Sequence, residues 1–147
     1  MLNYVKANHK PGDVYLIPIE IPKPWTTPWT GPHGVTNSSF MLPPRIGKAG
    51  SFIAGDLQRS RLYTGAPIYV DFKCPPYKDV EVLEWRRRIY WCQDAYAGKF
   101  AAALQTELAK EGITHVVVQT GKAITFTALG PPIYIDEAYS VYQVAKK

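Results

Sequence analysis

Apolar and polar positions divide the chain into three textures. Residues 14–19, Val14-Tyr15-Leu16-Ile17-Pro18-Ile19, form a nearly continuous apolar run behind a Lys10-Pro11-Gly12-Asp13 turn. A run with no polar face predicts a strand buried on both sides. A short helix or extended lead-in precedes it. From residue 51 the pattern changes period. Residues 56–63 fit two helical turns with Asp56 as N-cap, stopped at Gly65. Residues 67–72, Pro67-Ile68-Tyr69-Val70-Asp71-Phe72, read as a strand ended by Cys74-Pro75-Pro76. Asp79 then opens a helix on which Val82, Trp85, Ile89, Cys92 and Tyr96 recur at steps of three and four, with Leu83 and Tyr90 widening the stripe. A second helix over about 98–111 presents Phe100, Leu104 and Leu108 and stops at Gly112.

Beyond it, residues 113–119 predict a strand. Three short strands follow, at about 123–128, 132–136 and 139–144, the last two joined as a hairpin by Asp136-Glu137-Ala138. The order β-α-β-α-α-β followed by short strands predicts a single α/β domain over residues 1–147. Its expected architecture is a three-layer sandwich with a mixed, mainly parallel sheet and an appended C-terminal antiparallel hairpin.

Residues 20–50 have neither period. Six prolines and four glycines fall there, which excludes helix and internal strand for most of the stretch. It nevertheless carries Trp25, Trp29, Phe40 and Met41. Long irregular connections are usually functional or disordered, and aromatic residues point to packing on the domain or on a partner. Trp25, Trp29 and His33 are therefore ligand- or partner-contact candidates, with Arg59 and Arg61 ahead of the 67–72 strand. Asn37-Ser38-Ser39 matches a glycosylation sequon, a pattern frequent by chance.

Composition adds boundaries. With 147 residues, 46% hydrophobic and 20% charged, the chain has enough apolar content for a real core and is neither disordered nor a coiled coil. No run approaches the roughly 18 apolar residues of a membrane-spanning helix. The net charge of +5 is spread along the chain, and only Arg86-Arg87-Arg88 is clustered. Glu84 lies within a helical turn of two of these arginines, so a self-paired face is expected and nucleic-acid binding is disfavoured.

Neither Cys74 nor Cys92 belongs to a zinc-type or CxxC spacing. Cys92 falls on the apolar stripe and reads as a core residue, and a Cys74–Cys92 disulfide is the less favoured alternative. Phosphate-loop, GxGxxG, GxSxG and HExxH motifs do not occur, and no cofactor or metal is implied. His115, between Thr114 and Val116, reads as a satisfied sheet histidine. The one spot with chemical potential is the carboxyl end of the 67–72 strand, where Asp71, Lys73, Asp79 and Glu84 gather, since α/β sheets bind ligands at such ends. Asp71 would serve as base or metal carboxylate and Lys73 as anion holder. The structural alternative, in which Asp71 and Lys73 pin neighbouring loops, is preferred.

Several phrases, taken together, resemble a known group. These are residues 8–18 (Asn8-His9-Lys10-Pro11-Gly12-Asp13 and onward), 61–73, Pro76-Tyr77-Lys78-Asp79 with Glu84-Trp85 and Arg88, and 132–144. In this order they are similar to the soluble part of bacterial polytopic membrane proteins related to GT-C-type glycosyltransferases. The resemblance covers about 1–19, 56–92 and 113–144. It implies an α/β accessory domain on the extracytoplasmic face of a membrane, with a membrane protein or glycan as partner and the transferase chemistry elsewhere. Residues 20–50 are longer than that pattern. The resulting expectation is a non-catalytic ligand- or partner-binding domain. The alternatives are a small hydrolase or transferase using the Asp71/Lys73 cluster, and anionic-lipid or nucleic-acid binding through Arg86, Arg87 and Arg88. A stand-alone protein would be cytoplasmic.

Overall fold

The computed structural model describes residues 1–18, 57–71, 76–121 and 123–145. In chain order they form α1 (Leu2–Asn8), β1 (Tyr15–Leu16), a 3-10 turn (Leu57–Arg59) running into α2 (Ser60–Thr64), α3 (Asp79–Tyr96) and α4 (Leu104–Lys110). β2 (His115–Gln119), a second 3-10 stretch (Ala123–Leu129), β3 (Tyr134–Ile135) and β4 (Tyr139–Gln143) complete the chain. The fold is α/β, with one mixed sheet in the order β1-β2-β4-β3.

β1 runs parallel to β2, with Tyr15 opposite His115 and Leu16 opposite Val116. On the other side of β1, Ile68 makes a parallel bridge to Tyr15. The Tyr15 N–H donates to the Pro67 carbonyl and the Tyr69 N–H to the Tyr15 carbonyl, both at 2.9 Å. β4 lies antiparallel along the whole of β2 and pairs with β3 on its far side. The described ladders therefore hold more antiparallel than parallel pairing, unlike the mainly parallel sheet expected. β4 doubles back over five residues of β2, whereas β1 supplies two.

Strand side chains alternate between faces, and two buried clusters follow that period. Leu16, Val116, Val118 and Tyr142 join Ile89 and Cys92 of α3, Leu104 and Leu108 of α4, and Phe126. Tyr15, Ile17, Val117, Tyr139 and Val141 join Val5 of α1, Leu57 and Ala66. Of the strand expected over 14–19, Tyr15–Leu16 forms β1 and is buried on both faces, with Ile17 buried beside Tyr15; Ile19 lies outside the described residues. α1 and the 57–66 stretch cover one face, while α3, α4 and the 123–129 stretch cover the other.

α3 follows its apolar stripe at Ile89 and Cys92, with Trp85 and Tyr96 half-buried against the same cluster. Leu83 and Tyr90 do not widen it: they are 63% and 39% exposed. At ~100° per residue, Leu83 lies about half a turn from Cys92, and Tyr90 is little closer. Val82 is exposed as well. Lys78, with extended backbone, is the N-cap of α3, so Asp79 is its first helical residue and makes no side-chain cap.

Two further boundaries differ from expectation. Gly98 takes φ +80, a conformation that L side chains resist. It ends α3, and residues 99–103 turn before α4 begins at Leu104. The 123–128 stretch is 3-10 helix, not strand. β2 already has β1 on one side and β4 on the other, so no edge of β2 is left for it. The stretch instead buries Phe126 in the cluster on the α3/α4 face of the sheet. The hairpin forms as predicted: Asp136 Oδ1 accepts the N–H groups of Ala138 (2.9 Å) and Tyr139 (2.7 Å).

Candidate functional site at the carboxyl edge of the parallel strands

The proposed strand-end cluster is not assembled among the described residues. Asp71 Oδ2 accepts from Arg61 Nη1 at 2.9 Å, and the Asp71 carbonyl accepts the Trp85 indole N–H at 2.8 Å. Asp71 is thereby tied to α2 on one side and α3 on the other. Glu84 is held by its own helix: Arg87 Nε and Arg88 Nε each donate to it at 2.8 Å. Hydrogen bonds from Arg87 and then Arg88 hold its carboxyl down to about 2. Asp79 is exposed in the first turn of α3, and Arg59 is exposed at the end of its 3-10 turn. Trp25, Trp29, His33, Lys73 and Cys74 lie outside the described residues.

A larger network went unseen in the sequence. Arg87 also grips Glu111, with Nη1 at 2.9 Å from Oε1 and Nη2 at 2.7 Å from Oε2. The Tyr69 hydroxyl donates to Glu111 Oε2, and Arg88 lies over the Tyr69 ring at 5.1 Å. Burial, followed by the hydrogen bond to Glu111, raises the Tyr69 hydroxyl well above the usual tyrosine range. Arg87, first among the causes, lowers the Glu111 carboxyl. The group ties the Ile68 strand to α3 and to the end of α4. Its charges cancel, and Arg86 lies over the Tyr90 ring at 5.4 Å. The three arginines therefore do not present an open cationic patch. The expected Glu84–Arg87 and Glu84–Arg88 pairs are both present.

His115 sits at the opposite, amino end of the strands. Its Nδ1 is 2.9 Å from Thr114 Oγ1 and 4.0 Å from Asp13 Oδ1, and its ring stacks on Tyr15. Asp13 in turn accepts the Lys10 N–H at 2.8 Å, closing the Pro-Gly turn. A catalytic relay needs a nucleophile and an orienting carboxylate on opposite ring nitrogens, whereas here hydroxyl and carboxylate approach the same one. His115 is a satisfied sheet histidine, as its context suggested. Cys92 is free and buried, and burial pushes its thiol up, away from the reactive thiolate.

Topology marks a different place. After β1 the chain leaves through Pro18 and is next described at Leu57, within the cluster that holds Tyr15 and Ile17. After β2 it enters the 123–129 stretch, whose Phe126 belongs to the cluster on the other face. β1 and β2 are adjacent and parallel, so their carboxyl ends lie side by side on one edge of the sheet, the edge at which α/β sheets bind ligands. The Tyr96 hydroxyl sits between the two strands there, donating to the Val117 carbonyl at 2.6 Å with the Leu16 carbonyl at 3.3 Å. Half-buried Pro18 follows β1 there, and half-buried Gln119 ends β2 ahead of exposed Thr120 and Gly121.

The model of one protein family, a domain of unknown function (DUF6798), matches residues 29–92, less than half of the chain. That segment includes α2 and most of α3. No curated protein matches the chain, and neither does any solved structure. Among the described residues, no helix is long and apolar enough to cross a membrane.

Proposed function

We propose that this chain is a non-catalytic, ligand-binding α/β accessory domain of a membrane-associated glycan-processing system. In this reading it is a three-layer sandwich whose ligand enters the crevice between the carboxyl ends of β1 and β2. The observation that carries the reading is the pair of adjacent parallel strands whose carbonyls near the carboxyl ends, Leu16 and Val117, flank the Tyr96 hydroxyl: in open α/β sheets ligands bind outside such ends. The resemblance of the ordered phrases to the soluble parts of GT-C-related proteins supports the glycan context. The state of the carboxylates supports a binding role over catalysis. A general acid or base works best with a pKa near the operating pH, and Glu84 is held at about 2 while Asp71 is occupied by Arg61.

The test is calorimetric titration of the chain with soluble oligosaccharide fragments, repeated on Thr120→Arg. Thr120 is exposed just past the end of β2, so the fold should survive while entry is blocked. Binding that Thr120→Arg abolishes is the expected result. Unchanged binding would remove the crevice from the account, and turnover of any fragment would replace the binding reading with an enzymatic one.

A further inference from the structure

α2 is built with its polarity reversed. Ser60 and Thr64 face the core and are each 5% exposed, whereas Leu62, half a turn away, is 84% exposed. The inversion is costly, because the Ser60 hydroxyl is buried without a hydrogen-bond partner. Around Leu62 the surface is cationic. Arg59 lies three residues earlier on the same side, and the Lys6 ammonium of α1 stands over the ring of exposed Tyr63 at 4.7 Å. The Tyr63 hydroxyl donates to Asn3 of α1 at 2.6 Å, so the two helices present one surface. Arg61 is neutralised by Asp71, but Lys6 and Arg59 have no ion pair among the described residues. Charge is also sorted between the two faces of the sheet. Residues 76–112, which supply α3 and α4, carry six basic and six acidic residues and pair many of them. Residues 1–12 and 57–70, which supply the other face, carry four basic residues and no acidic one.

We propose that the α1/α2 face docks on an anionic membrane surface, with Leu62 entering the acyl boundary and Lys6 and Arg59 lying among the headgroup phosphates. Charge sets the sign of the partner: unpaired cations on a surface without carboxylates are complementary to an anionic one. Leu62 sets its kind. It projects from its helix, so it needs a partner that receives a single apolar side chain without a matching pocket, which a fluid bilayer does. Tyr63 suits the same depth, its ring apolar and its hydroxyl polar at the headgroup level. A nucleic acid would leave Leu62 in water, and it is bound by a clustered basic stripe that this face lacks. The proposal rests on the membrane-associated setting read above and gives it a contact surface, one separate from the strand-end ligand site.

Vesicle co-sedimentation tests it. The chain should partition onto vesicles of equal parts phosphatidylcholine and phosphatidylglycerol, and not onto phosphatidylcholine alone. Lys6→Gln and Arg59→Gln should each weaken partitioning about fivefold, the effect of one basic charge near an anionic leaflet. Leu62→Ser should weaken it about tenfold through lost apolar burial. All three residues are exposed, so circular dichroism should not change. Lys110→Gln, on α4 and paired with Glu107, should leave partitioning as it is. A wild-type chain that ignores the anionic vesicles overturns the proposal. So does a Leu62→Ser chain that partitions like wild type, or a Lys110→Gln chain as impaired as Lys6→Gln, since either reduces the effect to attraction between any polyanion and a basic protein. Equal retention of a duplex oligonucleotide through the same cations would assign the face to nucleic acid instead. Leu62→Ser should leave the oligosaccharide titration unchanged, so failure here and failure of the strand-end site are read separately.

Discussion

Removing the Arg87 side chain should loosen the junction between the Ile68 strand, α3 and α4 by an amount the geometry bounds. Arg87 makes two kinds of pair. With Glu84 it is a partly exposed i, i+3 pair on one helix, screened by water, and contributes about 0.3–0.5 kcal/mol. With Glu111 it is bidentate, and the Glu111 side chain is only 19% exposed. Hydrogen bonds to a charged group in such a setting contribute about 1.5–3 kcal/mol. Arg87→Ala also leaves Glu111 with the Tyr69 hydroxyl as its remaining donor among the described residues. The expected loss is therefore about 2–3 kcal/mol at pH 7, dominated by the Glu111 pair.

Urea unfolding reads this directly, because a shift in midpoint at constant slope is a change in stability. The pH dependence carries a sign. Glu84 and Glu111 have folded-state values below their ordinary 4.5. A depressed carboxylate contributes stability that is fully present above the unfolded value and is lost as the pH falls through the folded one. For Glu84 that window runs from 4.5 down to about 2. The wild-type chain should lose stability across it, and Arg87→Ala should lose visibly less. An Arg87→Ala variant within about 0.5 kcal/mol of wild type at pH 7, the range of an ordinary surface substitution, would refute the reasoning.

Three further outcomes follow from the packing. Trp85→Phe should cost about 1 kcal/mol by losing the bond to the Asp71 carbonyl. Trp85→Ala should fall below the roughly 3–5 kcal/mol of a fully buried aromatic, since Trp85 is only half-buried; both are read by chemical denaturation. Phe126→Ala, deep in its cluster, should reach that full range and lower the thermal midpoint far more than Trp85→Ala does. Gly65→Ala should destabilise by about 1–2 kcal/mol, because Gly65 ends α2 at φ +76 while an added Cβ would make only ordinary contact with the His9 ring at 3.9 Å; a neutral result by urea titration would contradict that strain.

What the sequence made legible was whatever depends on neighbours in the chain. The apolar run at 14–19, the core stripe of α3 at Ile89 and Cys92, the Asp136 hairpin turn and the Glu84–Arg87 and Glu84–Arg88 pairs all follow from local spacing. The phrases that carry the family resemblance behave alike. Lys10-Pro11-Gly12-Asp13 closes a turn through Asp13, Tyr15 pairs with His115, and residues 134–144 form the hairpin that flanks β2. These residues are core and turn chemistry and speak to architecture, whereas Leu62 and Tyr77 of the same phrases are exposed.

What was not legible depends on distant segments. The short run at 123–128 read as a strand, but only the docking of β4 on β2 decides that no edge is open there. Glu111 lies 24 residues from Arg87, and no spacing rule links them. The parallel pairing of β1 with β2, about a hundred residues apart, is equally invisible to any local spacing. Leu83 and Tyr90 were misplaced for a simpler reason: both are apolar, and an apolar residue on a helix is read as core until its angle to the stripe is counted.

The central claim, a ligand site between the carboxyl ends of β1 and β2, is tested most directly by backbone amide chemical-shift mapping of the isotope-labelled chain with a panel of soluble oligosaccharide fragments. The account predicts saturable shifts at Ile17, Gln119, Thr120 and Gly121, with Arg61, Asp71 and the α3 amides unmoved. Shifts confined to Arg61 and Asp71 or to α3 would contradict it.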